Sequence, residues 1–227
     1  MAAAPFHLFG PDHLAALAVA GCAAVLLPVA VRRHSPWRRS RAVPGALAAL
    51  LLLLTALTTA GVARERPLAI WDLLPLHLCD ASIFLAVFAL LTLRHGAAEL
   101  LYFWSFGATS LAMITPDLWV GAPDWHFYSF FAVHGSVVVS AATLVFGLGL
   151  TPRPGAPLRV FLLTNAYAAT VAIVDVAFGQ NFLYLRAKPE ARTILDAFGP
   201  WPVYLIPCEL LAWGAFRLLD LPFRGRR

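Results

Sequence analysis

Long apolar runs separated by short polar stretches dominate this chain. An α-helix rises about 1.5 Å per residue, so about 20 apolar residues cross a hydrocarbon core about 30 Å thick. The pattern predicts an all-α fold, a polytopic membrane bundle of seven transmembrane helices that forms one domain over residues 1–227. The predicted spans are residues 13–31, 43–63, 72–93, 97–115, 126–149, 157–178 and 200–220.

Composition agrees with a membrane protein. Hydrophobic residues make up 60% of the chain and charged residues 13%, against roughly a quarter charged in soluble domains. The net charge of +5 arises from short loops and the carboxyl-terminal tail, with no basic patch interleaved with exposed aromatic residues. We therefore expect membrane lipids as partners and no nucleic acid. Because the amino-terminal segment before the first run lacks Lys and Arg, that run is expected to be retained as a helix rather than removed as a signal peptide.

The basic residues also predict an orientation. Arginines are concentrated in residues 32–41, between the first two apolar runs, and positively charged loops stay on the cytoplasmic side. With the amino terminus outside, twelve Lys and Arg residues lie inside and five outside. We expect a multi-pass protein of the cell membrane with its carboxyl terminus in the cytoplasm. The tryptophans then predicted at the outer boundary are Trp71, Trp119, Trp125 and Trp201.

The polar residues in the apolar runs are few, and such residues are functional candidates because they are costly in a membrane. They are Cys79 with His77 and Asp80 on the third run, Glu99 at the start of the fourth, His134 on the fifth, Asp175 on the sixth and Glu209 with Cys208 on the seventh. Glu99, near the predicted cytoplasmic end, is expected to reach water or meet Arg94 instead of joining the others. Asp117 and Asn181, in the outer loops, join them as candidate supporting or substrate-binding residues. Counted along continuous helices, Cys79 and His134 both lie roughly 12 Å inside the outer end.

Cys79 and His134, counted to similar depth, would form a reactive cysteine–histidine pair. His77 and Asp80 are three residues apart and face the same way on a helix, whereas Cys79 lies about 200° from His77. A base for Cys79 must therefore come from another helix, and His134 is the imidazole at matching depth. Such a base would activate a thiol that is otherwise inert in apolar surroundings.

Simpler interpretations stay open for the same residues. Cys79 is also explained as a small packing residue, and His134 as a donor to a neighbouring serine or a backbone carbonyl. The spacing of His77, Asp80 and His134 matches no recognised metal-ligand motif. Three cysteines without a CxxC motif favour neither a disulfide framework nor a zinc site. We therefore expect no metal and no cofactor. A transporter or small-ligand receptor would use the same cluster as a binding site.

Several short motifs occur together in this chain. They are LPLHLCD at 74–80, YFW at 102–104, TPD at 115–117, FAVH at 131–134, GQNFLYL at 179–185 and GPWP at 199–202. In this order they resemble the bacterial YwaF-like family of integral membrane proteins, which is remotely similar to a eukaryotic transmembrane cysteine acyltransferase of ether-phospholipid remodelling. The resemblance implies that Cys79 accepts the acyl group and that His134 is the base. The expected function is lipid acyl transfer in the outer half of the membrane.

Overall fold

The structure, a computed structural model, describes residues 4–188 and 194–225. Three residues of the charge count, Arg192, Arg226 and Arg227, lie outside these ranges. Every regular element in the described ranges is helical, and an isolated antiparallel bridge joins Pro5 to Val120.

The helices follow one another with short connections. They are α1 (Pro11–Arg33), α2 (Ser35–Arg39), α3 (Ala42–Glu65), α4 (Ile70–Leu73), α5 (Leu78–Thr92), α6 (His95–Trp104), α7 (Ser110–Ile114), α8 (Trp125–Ala142), α9 (Ala156–Phe178), α10 (Leu205–Leu219) and α11 (Leu221–Arg224). A π-helical segment, Ser105–Thr109, joins α6 to α7, and a second, Thr143–Gly147, continues α8. Two 3₁₀ segments, Phe182–Tyr184 and Ile194–Phe198, lie between α9 and α10.

Five of the predicted spans are confirmed as helices long and apolar enough to cross a membrane. They are Pro11–Arg33, Ala42–Glu65, His95–Ile114, Trp125–Gly147 and Ala156–Phe178. The helices in the third and seventh predicted spans, α5 and α10, have 15 residues each, or about 22 Å, which is shorter than a core about 30 Å thick. The count of seven spans therefore stays a prediction.

The third predicted span, 72–93, is wrong as a continuous helix. The chain leaves the helical conformation after α4 and resumes it at Leu78, because Pro75 has no N–H to donate and clashes with the preceding turn. Tyr167 of α9 shares its hydroxyl hydrogen between the carbonyls of Pro75 at 2.8 Å and Leu76 at 3.0 Å, which lie in the non-helical stretch. Cys79 is consequently the second residue of α5, and the depth counted for it along an unbroken helix is also wrong.

The long α8 organises the bundle. It packs against α1, α3, α5 and α6, and most of the Trp125–Gly147 span is buried. The remaining helices α9 and α10 pack on each other at one side. Large apolar side chains on the outside of the bundle, such as Val19 (71% exposed) and Val176 (74% exposed), are the surface that a soluble fold would bury. In hydrocarbon the exposure of these apolar side chains costs no free energy, which agrees with the membrane assignment.

Candidate functional site

A cavity of about 460 Å³ lies among α3, α5 and α8, at the end of the bundle where α3 finishes and α8 begins. Most of its wall is apolar, including Ile83, Phe84 and Phe130. The polar side chains that line it are Thr55, Thr58, Thr59, Arg66, Asp72, Asp80, His126, Ser129 and His134. An apolar chamber with a few convergent polar groups is the usual form of a small-molecule site.

His134 presents an unengaged ring nitrogen at this cavity. Its Nδ1 lies 2.8 Å from the carbonyl oxygen of Phe130, and a carbonyl only accepts, so Nδ1 carries the proton. Its ring stacks on the Phe130 ring at 4.0 Å between centroids, which fixes its orientation. In the described ranges Nε2 has no hydrogen-bond partner. The neutral imidazole therefore offers a lone pair, as a general base requires.

Asp80 lines the same cavity as His134, and it is the candidate carboxylate that the structure brings there. It is the third residue of α5, and His77, at the amino-terminal cap of that helix, lies close enough for a Coulombic interaction with it. The predicted pairing of these two side chains stays a prediction, and His77 precedes the helix instead of belonging to it.

Cys79 is not part of the cavity wall that Asp80 and His134 share. As the second residue of α5, it lies within electrostatic range of Asp80 and of Tyr184 on the loop after α9. Its thiol makes no hydrogen bond with any residue of 4–188 or 194–225. The predicted contact between Cys79 and His134 stays a prediction.

The loop after α9 covers the amino-terminal end of α5. Phe182 packs its ring on the imidazole of His77, with centroids 5.1 Å apart, and Tyr184 stacks less closely at 6.1 Å. Burial raises the pKa of the Tyr184 phenol, and the nearby Asp117 and Cys79 raise it further. Asp117, an exposed residue, therefore lies near Tyr184.

Two of the candidate residues hold this loop in place. Asp175, fully buried, accepts a hydrogen bond from the Phe182 amide at 2.9 Å, while its second oxygen has no partner in the described chain. Asn181 uses its side-chain amide within the loop, accepting from the Arg186 amide at 2.9 Å and donating to the Ala187 carbonyl at 2.9 Å. Both side chains therefore position backbone and do not line the cavity.

Glu209 lies apart from these groups. It is exposed on α10 and accepts a hydrogen bond of 3.0 Å from Asn165 on α9. It does not line the cavity with Asp80 and His134. Its carboxylate therefore links two neighbouring helices instead of joining Asp80 and His134.

Ion pairs surround the mouth of the cavity. Arg66 makes two hydrogen bonds of 2.7 Å to Asp72, and this bonding lowers the pKa of Asp72 to about 2. His126 lies between two carboxylates, 3.1 Å from Glu65 and 2.8 Å from Asp124. Bonds from the His126 amide and ring also lower the pKa of Asp124. The mouth thus carries paired charge of both signs over an apolar interior.

Comparison with known proteins identifies the family of this chain. A model of the TMEM164 family matches residues 8–220. The chain belongs to the TMEM164 family. This TMEM164-family chain is also 29% identical over 229 residues to an uncharacterised protein of Treponema pallidum (strain Nichols), covering 96% of this chain and 90% of that protein. No solved structure matches it.

Sequence reasoning missed several residues that shape the site of this TMEM164-family chain. Tyr167 ties α9 to the break before α5, and Tyr204 donates its hydroxyl to the carbonyl of Tyr184, holding the covering loop. A tyrosine inside an apolar run was the available signal, because a buried hydroxyl needs a partner. The partner carbonyls lie in the non-helical stretch before α5, which the sequence marked only by Pro75.

A further polar group lies at the opposite end of the bundle. Glu99, whose side chain is 4% exposed, accepts hydrogen bonds from both Arg153 and Arg159. Its partners are therefore two other arginines, and not the water or Arg94 that the sequence suggested. No cluster of three or more metal-ligating side chains occurs within the described ranges.

Proposed function

We propose that this protein is a membrane phospholipid acyltransferase in which Cys79 carries the acyl group and His134 is the base. The observation that supports it is that His134 and Asp80, the residue after Cys79, line one cavity, and that His134 Nε2 has no hydrogen-bond partner in the described ranges. The LPLHLCD and FAVH motifs also support the proposal, because they resemble those of YwaF-like proteins. That resemblance implies that Cys79 accepts the acyl group and that His134 is the base. The proposed setting is the outer half of a cell membrane, with the amino terminus outside.

In the proposed reaction His134 Nε2 takes the Cys79 proton, and the thiolate attacks the carbonyl carbon of a phospholipid ester. The C–O bond of the ester breaks, and the lysolipid oxygen leaves with the proton from the imidazolium. A thioester on Cys79 remains. His134 then deprotonates a second lysolipid hydroxyl, which attacks the thioester and restores the thiol.

The start of α5 suits the oxyanion that this reaction forms. The first amides of a helix have no intrahelical partner, and the positive end of the helix dipole lies there. Cys79 is in that first turn, so amides near it are available to a developing negative charge on a bound carbonyl oxygen. Asp80 is positioned to orient His134 or the substrate, while Asp175 and Asn181 hold the covering loop.

The donor is expected to be a phospholipid drawn from the membrane, not acyl-CoA. The cavity opens at the end of the bundle that carries Trp125 and His126, where Trp125 bonds Glu65 at 2.8 Å. In the proposed orientation this end faces outside, whereas acyl-CoA is a polyanion confined to the cytoplasm. A lipid ester at the outer headgroup boundary is near this end of the bundle and can enter between helices.

The test is reconstitution with phospholipid or acyl-CoA, each labelled in the acyl chain, as the sole donor. The parent is expected to acquire label on Cys79 from phospholipid, and Cys79→Ala to acquire none. His134→Gln should slow labelling by about 10²-fold or more, as removal of a general base does. Cys22→Ala, at an exposed position on α1, is the matched control and should label normally. Labelling from acyl-CoA alone would refute the assignment of phospholipid as the donor. Activity that survives in Cys79→Ala would refute the covalent mechanism.

The predicted contact has its own test. In a His134→Cys variant the two thiols should be joined by a short bifunctional maleimide if Cys79 and position 134 come within about 8 Å, beyond which one water cannot bridge the two side chains. A Ser129→Cys variant, also on the cavity wall, is the matched control for reagent entry. Absence of any crosslink to position 134, in lipid and with substrate present, would count against the pair.

A second function, binding or transport of a small ligand, is favoured by one observation: Asp80 lines the cavity with His134, while Cys79 does not. In that case Asp80→Asn and His134→Gln would weaken ligand binding, and Cys79→Ala would leave it unchanged. Loss of all lipid turnover in Asp80→Asn, together with acyl labelling of Cys79 in the parent, would leave the enzyme as the better account.

A further inference from the structure

A second apolar space lies away from the candidate site. It is a cleft of about 560 Å³ between α1 and the helices α7 and α8, with walls formed by side chains such as Leu17, Met113 and Val138. Along α1 the cleft runs from Leu17 to Arg32, about 22 Å of helix, against about 15 Å for one leaflet of a hydrocarbon core about 30 Å thick. The cleft is therefore long enough to hold an acyl chain lying along α1.

The cleft ends at a basic pocket. This pocket, of about 170 Å³, is lined by Arg32 and Arg38 together with Phe146 and Thr151, and it shares Arg32 and Phe146 with the cleft. In residues 4–188 and 194–225 neither guanidinium has a hydrogen-bond or ion-pair partner. Two unpaired cations thus face a small pocket that continues directly into an apolar cleft.

We propose that the cleft and the basic pocket together bind one anionic phospholipid, with its phosphate at Arg32 and Arg38 and an acyl chain along α1. Arginine recognises phosphate through its planar set of donors, and basic pockets between membrane helices bind anionic head groups. A free phosphate would use the pocket and leave the cleft empty. An uncharged lipid would fill the cleft and leave both guanidiniums unpaired.

This lipid is distinct from the proposed substrate. His126 lines the candidate cavity and Phe146 the basic pocket, and the two residues are about 30 Å apart along α8 and its π-helical continuation. The two sites therefore lie at opposite ends of the bundle. In the proposed orientation the bound lipid belongs to the cytoplasmic leaflet, where it links α1 to the end of α8.

The experiment is native mass spectrometry of the full chain, titrated separately with phosphatidylglycerol and phosphatidylcholine. The parent should bind phosphatidylglycerol more tightly than phosphatidylcholine. Arg32→Gln/Arg38→Gln should weaken phosphatidylglycerol binding about tenfold to thirtyfold, as the loss of two cation contacts predicts. Arg33→Gln/Arg39→Gln removes the same charge from exposed neighbours outside the pocket and should leave the binding nearly unchanged.

The cleft is tested by filling it. Gly21 lines the cleft and a Cβ added there meets no atom within 4 Å, so Gly21→Leu should fold and obstruct the acyl chain. Gly45→Leu, at an equally open helical glycine outside the cleft, is the control for the loss of a glycine. We expect weaker phosphatidylglycerol binding in Gly21→Leu alone, and no displacement of the lipid by millimolar inorganic phosphate.

Three results would overturn the proposal. If both arginine double variants lose phosphatidylglycerol binding equally, the binding comes from general surface charge and not from the pocket. If the parent binds the two lipids equally, the site has no preference for an anionic head group. Unchanged binding in Gly21→Leu, together with displacement by phosphate, would mean an ion site without an acyl chain. Gly21→Leu keeps the proposal testable if the arginine variants fail to fold.

Discussion

Replacing Glu99 should destabilise the arginine-rich end of the bundle. Its carboxylate accepts from the Arg153 amide at 2.8 Å and Nη2 at 3.1 Å, and from Arg159 Nη2 at 3.0 Å. The Glu99 side chain is 4% exposed, whereas those of Arg153 and Arg159 are 50% and 41% exposed. The carboxylate is thus buried while both partners reach solvent.

The magnitude follows from that asymmetry. Breaking a fully buried ion pair costs about 3–5 kcal/mol, and breaking an exposed pair costs at most about 1 kcal/mol. In Glu99→Ala both arginines can turn to water, so we expect an intermediate loss of about 2–3 kcal/mol. Glu99→Gln keeps the volume and one acceptor, so it should lose less, about 1–2 kcal/mol.

Thermal unfolding in detergent, followed by tryptophan fluorescence, measures this loss. For a chain of this size about 1 kcal/mol lowers Tm by about 2–4 °C, so Glu99→Ala should melt about 5–10 °C below the parent. Asp72→Asn, which breaks an exposed ion pair, is the control and should shift Tm much less. A shift in Glu99→Ala no larger than that of Asp72→Asn would refute the argument that burial makes this carboxylate important.

Three further outcomes are expected. Tyr167→Phe removes a hydroxyl bonded to two backbone carbonyls and should cost about 1–2 kcal/mol, measured as a fall in Tm that the exposed Tyr128→Phe does not show. The pKa of Asp72 is depressed to about 2, so the stabilisation by its pair with Arg66 should be fully present above pH 3.8 and lost as pH falls through about 2; a parent-minus-Asp72→Asn difference in Tm that persists below that pH would contradict it. Reporter fusions should place the 32–41 loop and the carboxyl-terminal tail in the cytoplasm, and an external tail would require an even number of spans.

The candidate site was predictable in its residue types but not in its grouping. The rule that polar groups are rare in apolar runs selected His134 and Asp80, and the structure places both on one cavity wall. The same rule selected Glu209, which the structure pairs with Asn165 on the outside of the bundle. Polarity in a sequence says that a group needs a partner, but it does not say which helix supplies it.

The apolar runs by themselves determined that this is an all-helical membrane protein, because the length of a run and the thickness of a bilayer are compared without knowledge of packing. The family match and five long apolar helices agree with that class. The tertiary structure alone decided how the break in the third run is held, since Tyr167 of α9 donates a hydrogen bond to the carbonyl of Pro75 there. It also decided that Asp80 and not Cys79 lines the cavity with His134, because the start of α5 sets the direction of each side chain after it.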